Sequence, residues 1–207
     1  MKDTAMPIKF LRFFGITLLL CAGANNNIFA GTVVVTDNSG QAVEDAVVYA
    51  EPQFAIPNSK PAPAVIEQKN KKFIPLVTVV QTGALISFPN NDTVKHQAYS
   101  FSPAKTFELK LYSGKPSEPL LFDKAGTVTV GCNIHDQMLA YIQIVNTPFF
   151  AKTDAHGNAA LPALPPGKYL LKVWHYQQAM GSEAQTTELK VGTETTPIAV
   201  QLKFKLH

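Results

Sequence analysis

The sequence contains little cysteine, arginine or charge. Of its 207 residues, two are cysteines (Cys21 and Cys132), one is an arginine (Arg12), and 16% are charged. Proline and glycine are better represented, with 15 and 12 residues, and β-branched residues are plentiful. This composition is typical of an all-β protein with many turns. The length is sufficient for one or two compact domains.

The chain also lacks an apolar run long enough to cross a membrane comfortably. Lys9 and Arg12 precede an apolar segment at residues 13–24, and a small residue, Ala30, follows. Basic residues, then a short apolar segment, then a small residue at the cleavage site are typical of a signal peptide. We therefore predict that residues 1–30 are removed, that the mature protein is periplasmic, and that it retains no stable membrane span.

Removal of this segment leaves Cys132 as the single cysteine. In an oxidising compartment a lone cysteine cannot form an internal disulfide, and its free thiol is a liability unless something binds it. Metal ligation is one reason to retain such a residue. Attachment of a lipid at Cys21 is the alternative, but Leu20 is bulkier than the residue that normally precedes such a cysteine.

The charge balance argues against nucleic acid as a partner. Three of the 18 positive residues and one of the 15 negative residues lie in the first 30, so 15 positive and 14 negative residues remain. A nucleic-acid-binding surface needs an excess of basic residues, and arginine is absent after residue 30. A small basic cluster, Lys69, Lys71 and Lys72, is better explained as the solvated flank of a strand.

Alternation of apolar and polar residues predicts strands along most of the chain after residue 31. In the strand at 106–111, Phe107, Leu109 and Leu111 share one face and Lys110 lies on the other. A proline-rich connector at 52–63 is expected to be an irregular loop. The predicted strands are 32–36, 46–50, 76–80, 84–88, 97–101, 106–111, 127–130, 139–145 and 169–174.

Cys132, His135 and Met138 lie in a short loop between the two apolar runs at 127–130 and 139–145. We expect these runs to form a hairpin with the loop at its tip. A thiolate, an imidazole and a thioether are side chains that bind a mononuclear copper electron-transfer centre. Such a centre requires a second imidazole from elsewhere in the chain.

His96 is the candidate for that second imidazole. It follows a strand-like run and a polar turn that ends at Asp92, so a loop at the end of a sheet could present it. Taken alone, Cys132 or Met138 would more often be a core residue, and His135 a surface residue. Their joint spacing after a strand, with His96 upstream, favours a metal site formed by all four.

These residues resemble the cupredoxin (blue copper) family over about residues 68–146. The shared pattern is an apolar strand, an Asn/Asp turn, a His, and then a loop with Cys, His and Met. The two-residue gaps within the loop are most similar to those of the amicyanin type within the amicyanin and plastocyanin group. Gln97 departs from the pattern, because many members have Asn after the first His.

The cupredoxin resemblance implies a Greek-key β-sandwich that binds one copper ion, Cu(I)/Cu(II), at His96, Cys132, His135 and Met138. It implies that backbone N–H groups near Asn91 and in the cysteine loop donate to the sulfur. It also places His135 near the surface, where the electron passes to a partner. Ile134 and Pro89 would then supply an apolar docking rim.

The end of the chain carries a second resemblance. Residues 152–175 are similar to the second half of a carboxypeptidase-regulatory-like, or transthyretin-like, β-sandwich, with a Thr-Asp-x-x-Gly hairpin and a Pro-Pro-Gly turn before the strand. Residues 31–49 resemble the first half. Segments 36–42 and 153–159 share the pattern Thr-Asp-x-x-Gly-x-Ala.

We therefore predict that residues 31–67 and 147–207 form one smaller, discontinuous β-sandwich around the cupredoxin domain at 68–146. In the alternative arrangement, residues 31–146 form the cupredoxin domain and 147–207 are separate. Exported cupredoxins with this C-terminal pattern resemble methylamine-utilisation proteins, which implies a cytochrome or an amine dehydrogenase as redox partner.

The predicted function is single-electron transfer between redox partners by an exported type 1 copper protein. A periplasmic carrier or sensor that hands on the copper ion is the alternative, and a β-sandwich that has lost its metal is disfavoured because all four positions are filled. We do not expect an enzyme: copper oxidases and nitrite reductases need a His beside the cysteine, and here Gly131 and Asn133 flank Cys132. Structural or surface roles are expected for the remaining histidines, His156, His175 and His207.

Overall fold

The computed structural model describes residues 31–116, 118–179, 181–192 and 197–206. The predicted signal peptide, residues 1–30, and His207 lie outside these ranges. Within them every regular element is a β-strand, which confirms the all-β prediction. None of the described segments is a helix with the length and apolar character needed to cross a bilayer.

The strands of the described residues follow closely the runs in which apolar side chains alternate with polar ones. In chain order they are β1 (Thr32–Thr36), β2 (Val47–Pro52), β3 (Ala64–Val65), β4 (Glu67–Lys69), β5 (Lys72–Ile74), β6 (Val77–Gln81), β7 (Ala84–Ser87), β8 (His96–Ser102), β9 (Lys105–Tyr112), β10 (Leu120–Phe122), β11 (Gly126–Gly131), β12 (Leu139–Val145), β13 (Phe150–Lys152), β14 (Asn158–Ala160), β15 (Gly167–Trp174), β16 (Gln185–Val191) and β17 (Ile198–Gln201).

The middle of the chain forms what we call the central sandwich. Its larger sheet has the strand order β6-β12-β11-β8-β9, and its smaller sheet has the order β10-β7-β3. Strand β12 is antiparallel to β11 and parallel to β6, and a separate hairpin joins β4 to β5. Side chains from both sheets meet in one core, whose members are Ile66, Phe73, Val80, Ala84, Ile86, Phe88, Ala98, Phe122, Val128, Val130, Cys132, Met138, Ala140, Ile142 and Ile144.

The two ends of the chain pair with each other in what we call the terminal sandwich. One sheet has the order β14-β1-β17 and the other β13-β2-β15-β16. Their side chains share a second core, which includes Val33, Val48, Leu164, Leu171 and Val200. These pairings support the predicted partnership of residues 31–67 with 147–207, which stays a prediction; β3 pairs with β7, so we place the boundary before residue 64.

The repeated Thr-Asp-x-x-Gly segments form equivalent turns in the terminal sandwich. Asp37 Oδ1 accepts hydrogen bonds from the N–H groups of Ser39 and Gln41, at 2.8 and 3.0 Å. Asp154 Oδ1 accepts hydrogen bonds from two N–H groups at the same offsets, both at 2.9 Å. Each aspartate therefore closes its turn with its own side chain, which is why the pattern occurs twice.

One face of strand β9 differs from the sequence-based prediction. Phe107 and Leu109 pack against the central core, but Leu111 is 52% exposed. The register shifts between the pairs Ala98↔Leu109 and His96↔Tyr112, so β9 carries one extra residue. A β-bulge of this kind reverses the alternation of side chains beyond it. The prediction for Leu111 was therefore wrong, and Tyr112 lies opposite His96.

Candidate metal centre

The loop between β11 and β12 carries three of the four predicted ligands. Cys132 and Met138 are 3% and 1% exposed and belong to the central core, whereas His135 is half-buried. The Met138 N–H donates a hydrogen bond of 2.9 Å to the His135 carbonyl, which closes the loop. The antiparallel pairing of β11 with β12 therefore fixes both ends of this seven-residue segment.

His96 reaches the same end of the sheet on a different strand. It is the first residue of β8, and not a loop residue as the sequence suggested, and it is fully buried. Strands β8 and β11 are antiparallel, and Gly131 pairs with Tyr99. The start of β8 therefore lies beside the end of β11, where Cys132 follows.

Sheet pairing brings three potential ligands together. One ligand atom from each of His96, Cys132 and His135 lies within 4.8 Å of the others. The two imidazole rings have centroids 5.0 Å apart and planes inclined at 62°. The structure thus places all four predicted residues at one end of the central sandwich, with Met138 buried beside Cys132 in the same core.

The donor atoms at this site fit a copper ion. Nδ1 of His96 and Nδ1 of His135 are both buried and have no hydrogen-bond partner. Buried polar atoms are nearly always hydrogen-bonded, so two unpartnered imidazole nitrogens near a buried thiol are suited to binding a metal ion. Thiolate, thioether and two imidazoles are the donor set of a mononuclear copper electron-transfer site.

Asp92 binds the other nitrogen of the His96 ring. Its Oδ2 lies 2.9 Å from His96 Nε2. The hydrogen bond from His96 is the main cause that lowers the pKa of Asp92 to about 2, and the N–H of Lys71 contributes to the same shift. An ionised carboxylate can only accept hydrogen bonds, so Nε2 of His96 donates to Asp92, and Nδ1 is the ring nitrogen that remains to bind a metal ion.

Tyr112 lies on the neighbouring strand and was not identified from the sequence. Its hydroxyl donates to the Phe88 carbonyl at 2.5 Å and accepts a hydrogen bond from Gln68. Burial raises the pKa of Tyr112 to about 12, and the proximity of Cys132 contributes to the increase. The raised pKa keeps the hydroxyl protonated, as its hydrogen bond to the Phe88 carbonyl requires.

Two details of the predicted surroundings of the site are wrong. The N–H of Asn91 donates to the Gln68 carbonyl at 2.9 Å, and its side-chain amide donates to Glu67, so this residue supports the β4–β5 hairpin rather than the sulfur. Pro89 is buried and cannot belong to a docking rim, whereas Ile134 is 49% exposed as expected.

The remaining described histidines lie in the terminal sandwich. His175 is 2% exposed, and its Nε2 donates to the Glu44 carbonyl at 3.1 Å. Desolvation lowers the pKa of His175, so the ring is neutral in its structural role. His156 is exposed in the turn closed by Asp154.

No protein-family model and no curated protein sequence matches the chain. Among solved structures, it is similar to a purple cupredoxin from Nitrosopumilus maritimus, with 17% identity and a TM-score of 0.36, over 40% of this chain and 99% of that one. It is also similar to a reduced amicyanin mutant, with 17% identity and a TM-score of 0.37, over 49% of this chain and 100% of that one.

A copper-containing nitrite reductase from Thermus scotoductus is similar over 47% of this chain and 26% of its own length, with 20% identity and a TM-score of 0.39. All three similarities concern part of the chain, at low identity. Because their TM-scores are below 0.5, these similarities do not indicate the function of this protein. The residues of the site are the basis for its function.

Proposed function

We propose that the protein is an exported, mononuclear type 1 copper protein that transfers single electrons between redox partners and is not itself an enzyme. In this proposal one copper ion, Cu(I)/Cu(II), is held by His96, Cys132, His135 and Met138. The periplasm is the proposed compartment, and a cytochrome or an amine dehydrogenase is the proposed kind of partner.

The observation that carries the proposal is the convergence of one ligand atom from each of His96, Cys132 and His135 within 4.8 Å. In both imidazole rings the Nδ1 atom is buried and has no hydrogen-bond partner. Copper bound there supplies a one-electron couple, because sulfur ligands suit the reduced ion and imidazole ligands the oxidised ion. The chain holds one donor on strand β8 and three in a short loop whose two ends are fixed by the paired strands β11 and β12, so their positions need change little when the charge on the metal changes.

The exposure of the two histidines differs in a way that suits electron transfer. His96 is fully buried, whereas His135 is half-buried and its neighbour Ile134 is 49% exposed. A redox partner that contacts this end of the sandwich would therefore meet His135 first. The apolar side chain of Ile134 would provide part of the contact surface.

Burial also favours electron transfer over transport of the ion. A carrier must release copper to the next protein, which requires ligands that a partner can reach. Here Cys132, Met138 and His96 are at most 3% exposed, and of the four residues only His135 is partly exposed. We expect copper to stay bound through repeated reduction and reoxidation in the presence of a chelator. Rapid loss to the chelator would instead support the carrier.

The visible absorption spectrum of the copper-loaded protein tests the proposal. We expect an intense thiolate-to-copper band with oxidised copper, abolished in Cys132→Ser and in His96→Ala. The control variant is His156→Ala, which removes an exposed imidazole from the terminal sandwich and should leave the band unchanged. A colourless wild-type protein that still binds copper would contradict a type 1 site.

A further inference from the structure

We propose that Asp92 is a positioning residue that holds the His96 ring in its ligating orientation and lowers the reduction potential of the bound metal. This inference rests on the proposed function, since it concerns the same site. It begins from the 2.9 Å contact between Asp92 Oδ2 and His96 Nε2, which leaves Nδ1 of the same ring buried and without a partner.

The carboxylate of Asp92 is itself fixed from several directions. Oδ2 also accepts a hydrogen bond of 2.8 Å from the N–H of Lys71, and Oδ1 accepts one of 2.9 Å from the N–H of Thr93. The N–H of Asp92 donates to Asn90 Oδ1 at 3.0 Å. With both oxygens and the backbone engaged, the side chain has little freedom to turn away from His96.

Asn90 anchors this turn to strand β9. It is 3% exposed, and its Nδ2 donates to the carbonyl oxygens of Val94 at 3.0 Å and Tyr112 at 2.7 Å. Because Tyr112 pairs with His96 across β8 and β9, the turn and the ligand are fixed to the same part of the sheet.

The β4–β5 hairpin supplies the donor that reaches Asp92 from outside the turn. Asn70 and Lys71 at its tip have φ values of 53° and 56°, in the left-handed region that suits a tight hairpin turn. This conformation directs the Lys71 N–H toward Asp92, while the side chains of Lys69, Lys71 and Lys72 are exposed. The backbone of this lysine cluster, and not its charge, is what acts on the site.

A carboxylate that binds the non-ligating nitrogen of an imidazole, here Nε2, changes how the other nitrogen binds a metal. It fixes the tautomer, orients the ring and makes the other nitrogen a stronger donor. Its negative charge also favours the more positive state of a nearby ion. Both effects stabilise the oxidised metal relative to the reduced one, so the carboxylate lowers the reduction potential.

The decisive variant is Asp92→Asn, which keeps the shape and one acceptor oxygen but removes the charge. We expect affinity for Cu(II) to fall about 10- to 100-fold, the range typical for loss of such an outer partner. Affinity for Cu(I) should fall less, so the reduction potential measured by spectroelectrochemical titration rises. Asp92→Glu, which retains the charge, should give a potential closer to that of the wild type.

Asp136→Asn is the matched control. Asp136 lies in the ligand loop between His135 and Met138 and is exposed, so the variant removes an equal charge from a nearby residue that solvent reaches. We expect it to change the potential less than Asp92→Asn does. Equal potentials in the wild type and Asp92→Asn, or equal shifts in Asp92→Asn and Asp136→Asn, would overturn the inference.

A measurement on the metal-free protein separates this inference from the proposed function. Nitrogen-15 spectra of the His96 ring should show a proton on Nε2 and none on Nδ1 in the wild type, and a mixture of tautomers in Asp92→Ala. If the wild type forms no blue copper site but shows this difference, the proposed function fails while the positioning role of Asp92 stands. An Nδ1-protonated ring in the wild type would refute the positioning role.

Discussion

The imidazole rings of His96 and His135 lie edge to face with centroids 5.0 Å apart, although they come from strand β8 and from the loop that follows β11. Both rings leave Nδ1 buried and unpartnered. A buried polar atom without a hydrogen bond costs roughly 1–3 kcal/mol. A ligand that binds both nitrogens would satisfy these two atoms together.

Metal binding should consequently stabilise the folded protein. Addition of Cu(I) in the absence of oxygen should raise the melting temperature. At a free concentration 100-fold above Kd the gain is about 2.7 kcal/mol, and for a chain of this size that corresponds to roughly 5–10 °C. Differential scanning calorimetry of the two forms measures the shift directly.

The control for this prediction is Cys132→Ala, which removes the sulfur ligand and should show little shift on addition of Cu(I). His156→Ala should retain the full shift. If all three proteins respond equally, the ion binds elsewhere and the stabilisation does not report on this site.

Gly157 should tolerate substitution far less well than Gly40, although both lie in equivalent Thr-Asp-x-x-Gly turns. Their φ values are +76° and +83°, so an alanine at either position is strained by about 1–2 kcal/mol. At Gly157 a Cβ atom would also lie 2.4 Å from the Val35 carbonyl oxygen, whereas at Gly40 nothing lies within 4 Å.

Urea unfolding of Gly157→Ala and Gly40→Ala should therefore give different losses of unfolding free energy. We expect about 1–2 kcal/mol for Gly40→Ala and clearly more for Gly157→Ala, because the added methyl forces β1 and β14 apart. Equal losses would show that the turn moves without affecting the sheet.

The ligand loop could be predicted from the sequence because its residues are close together in the chain. Cys132, His135 and Met138 lie between two runs with strand character, so their spacing alone predicted a hairpin with three donors at its tip. His96 required one long-range assumption, which the pairing of β8 with β11 satisfies. The assignment of these four residues as metal ligands stays a prediction.

The residues that position the ligands could not be predicted in the same way. Tyr112 faces the site only because a β-bulge adds one residue to β9 and shifts its register. The pattern of apolar and polar residues in β9 does not indicate this bulge. The contact of Asp92 with Lys71 joins two turns that are distant in sequence. The one local indication was the spacing of Asp92 four residues before His96, within a polar turn.

Alkaline pH should destabilise the protein partly through Tyr49. Desolvation, with a further contribution from the charge of Glu51, raises the pKa of Tyr49 from 10 to about 12. A raised pKa in the folded state means that this contribution to stability is complete below pH 10 and is lost as the pH rises toward 12. Tyr49 packs where the two sandwiches meet, with Val77 and Trp174 among its neighbours.

The variant Tyr49→Phe should reduce this dependence on pH. It loses the hydrogen bond with Gln143, so its unfolding free energy at pH 7 should be lower than that of the wild type by about 1 kcal/mol. Between pH 10 and 12 the difference in unfolding free energy between the two proteins should shrink. Only the wild type has the Tyr49 hydroxyl, which ionises more readily in the unfolded chain than in the folded protein. Tyr112 also has a pKa of about 12, so some decrease persists in the variant. Parallel stability curves for the two proteins would rule out the role of Tyr49.

Removal of residues 147–207 should disrupt the part of the chain before residue 53. Strand β2 pairs with β13 on one side and β15 on the other, and β1 pairs with β14 and β17. A chain ending at Asn146 would expose the inner faces of β1 and β2, which include the fully buried Val33, Val35 and Val48. We expect it to aggregate or to bind a hydrophobic dye.

A chain of residues 53–146, which lacks both terminal segments, is the matched comparison. If residues 31–52 need the strands after residue 146 in order to fold, this shorter chain should be more soluble than residues 31–146, because it no longer exposes strands without partners. If residues 31–52 instead stabilise the central sandwich, the longer chain should unfold at the higher urea concentration. Equal stability of residues 31–146 and the full-length protein would exclude the discontinuous arrangement outright, since β1 and β2 would then need none of the strands that follow residue 146.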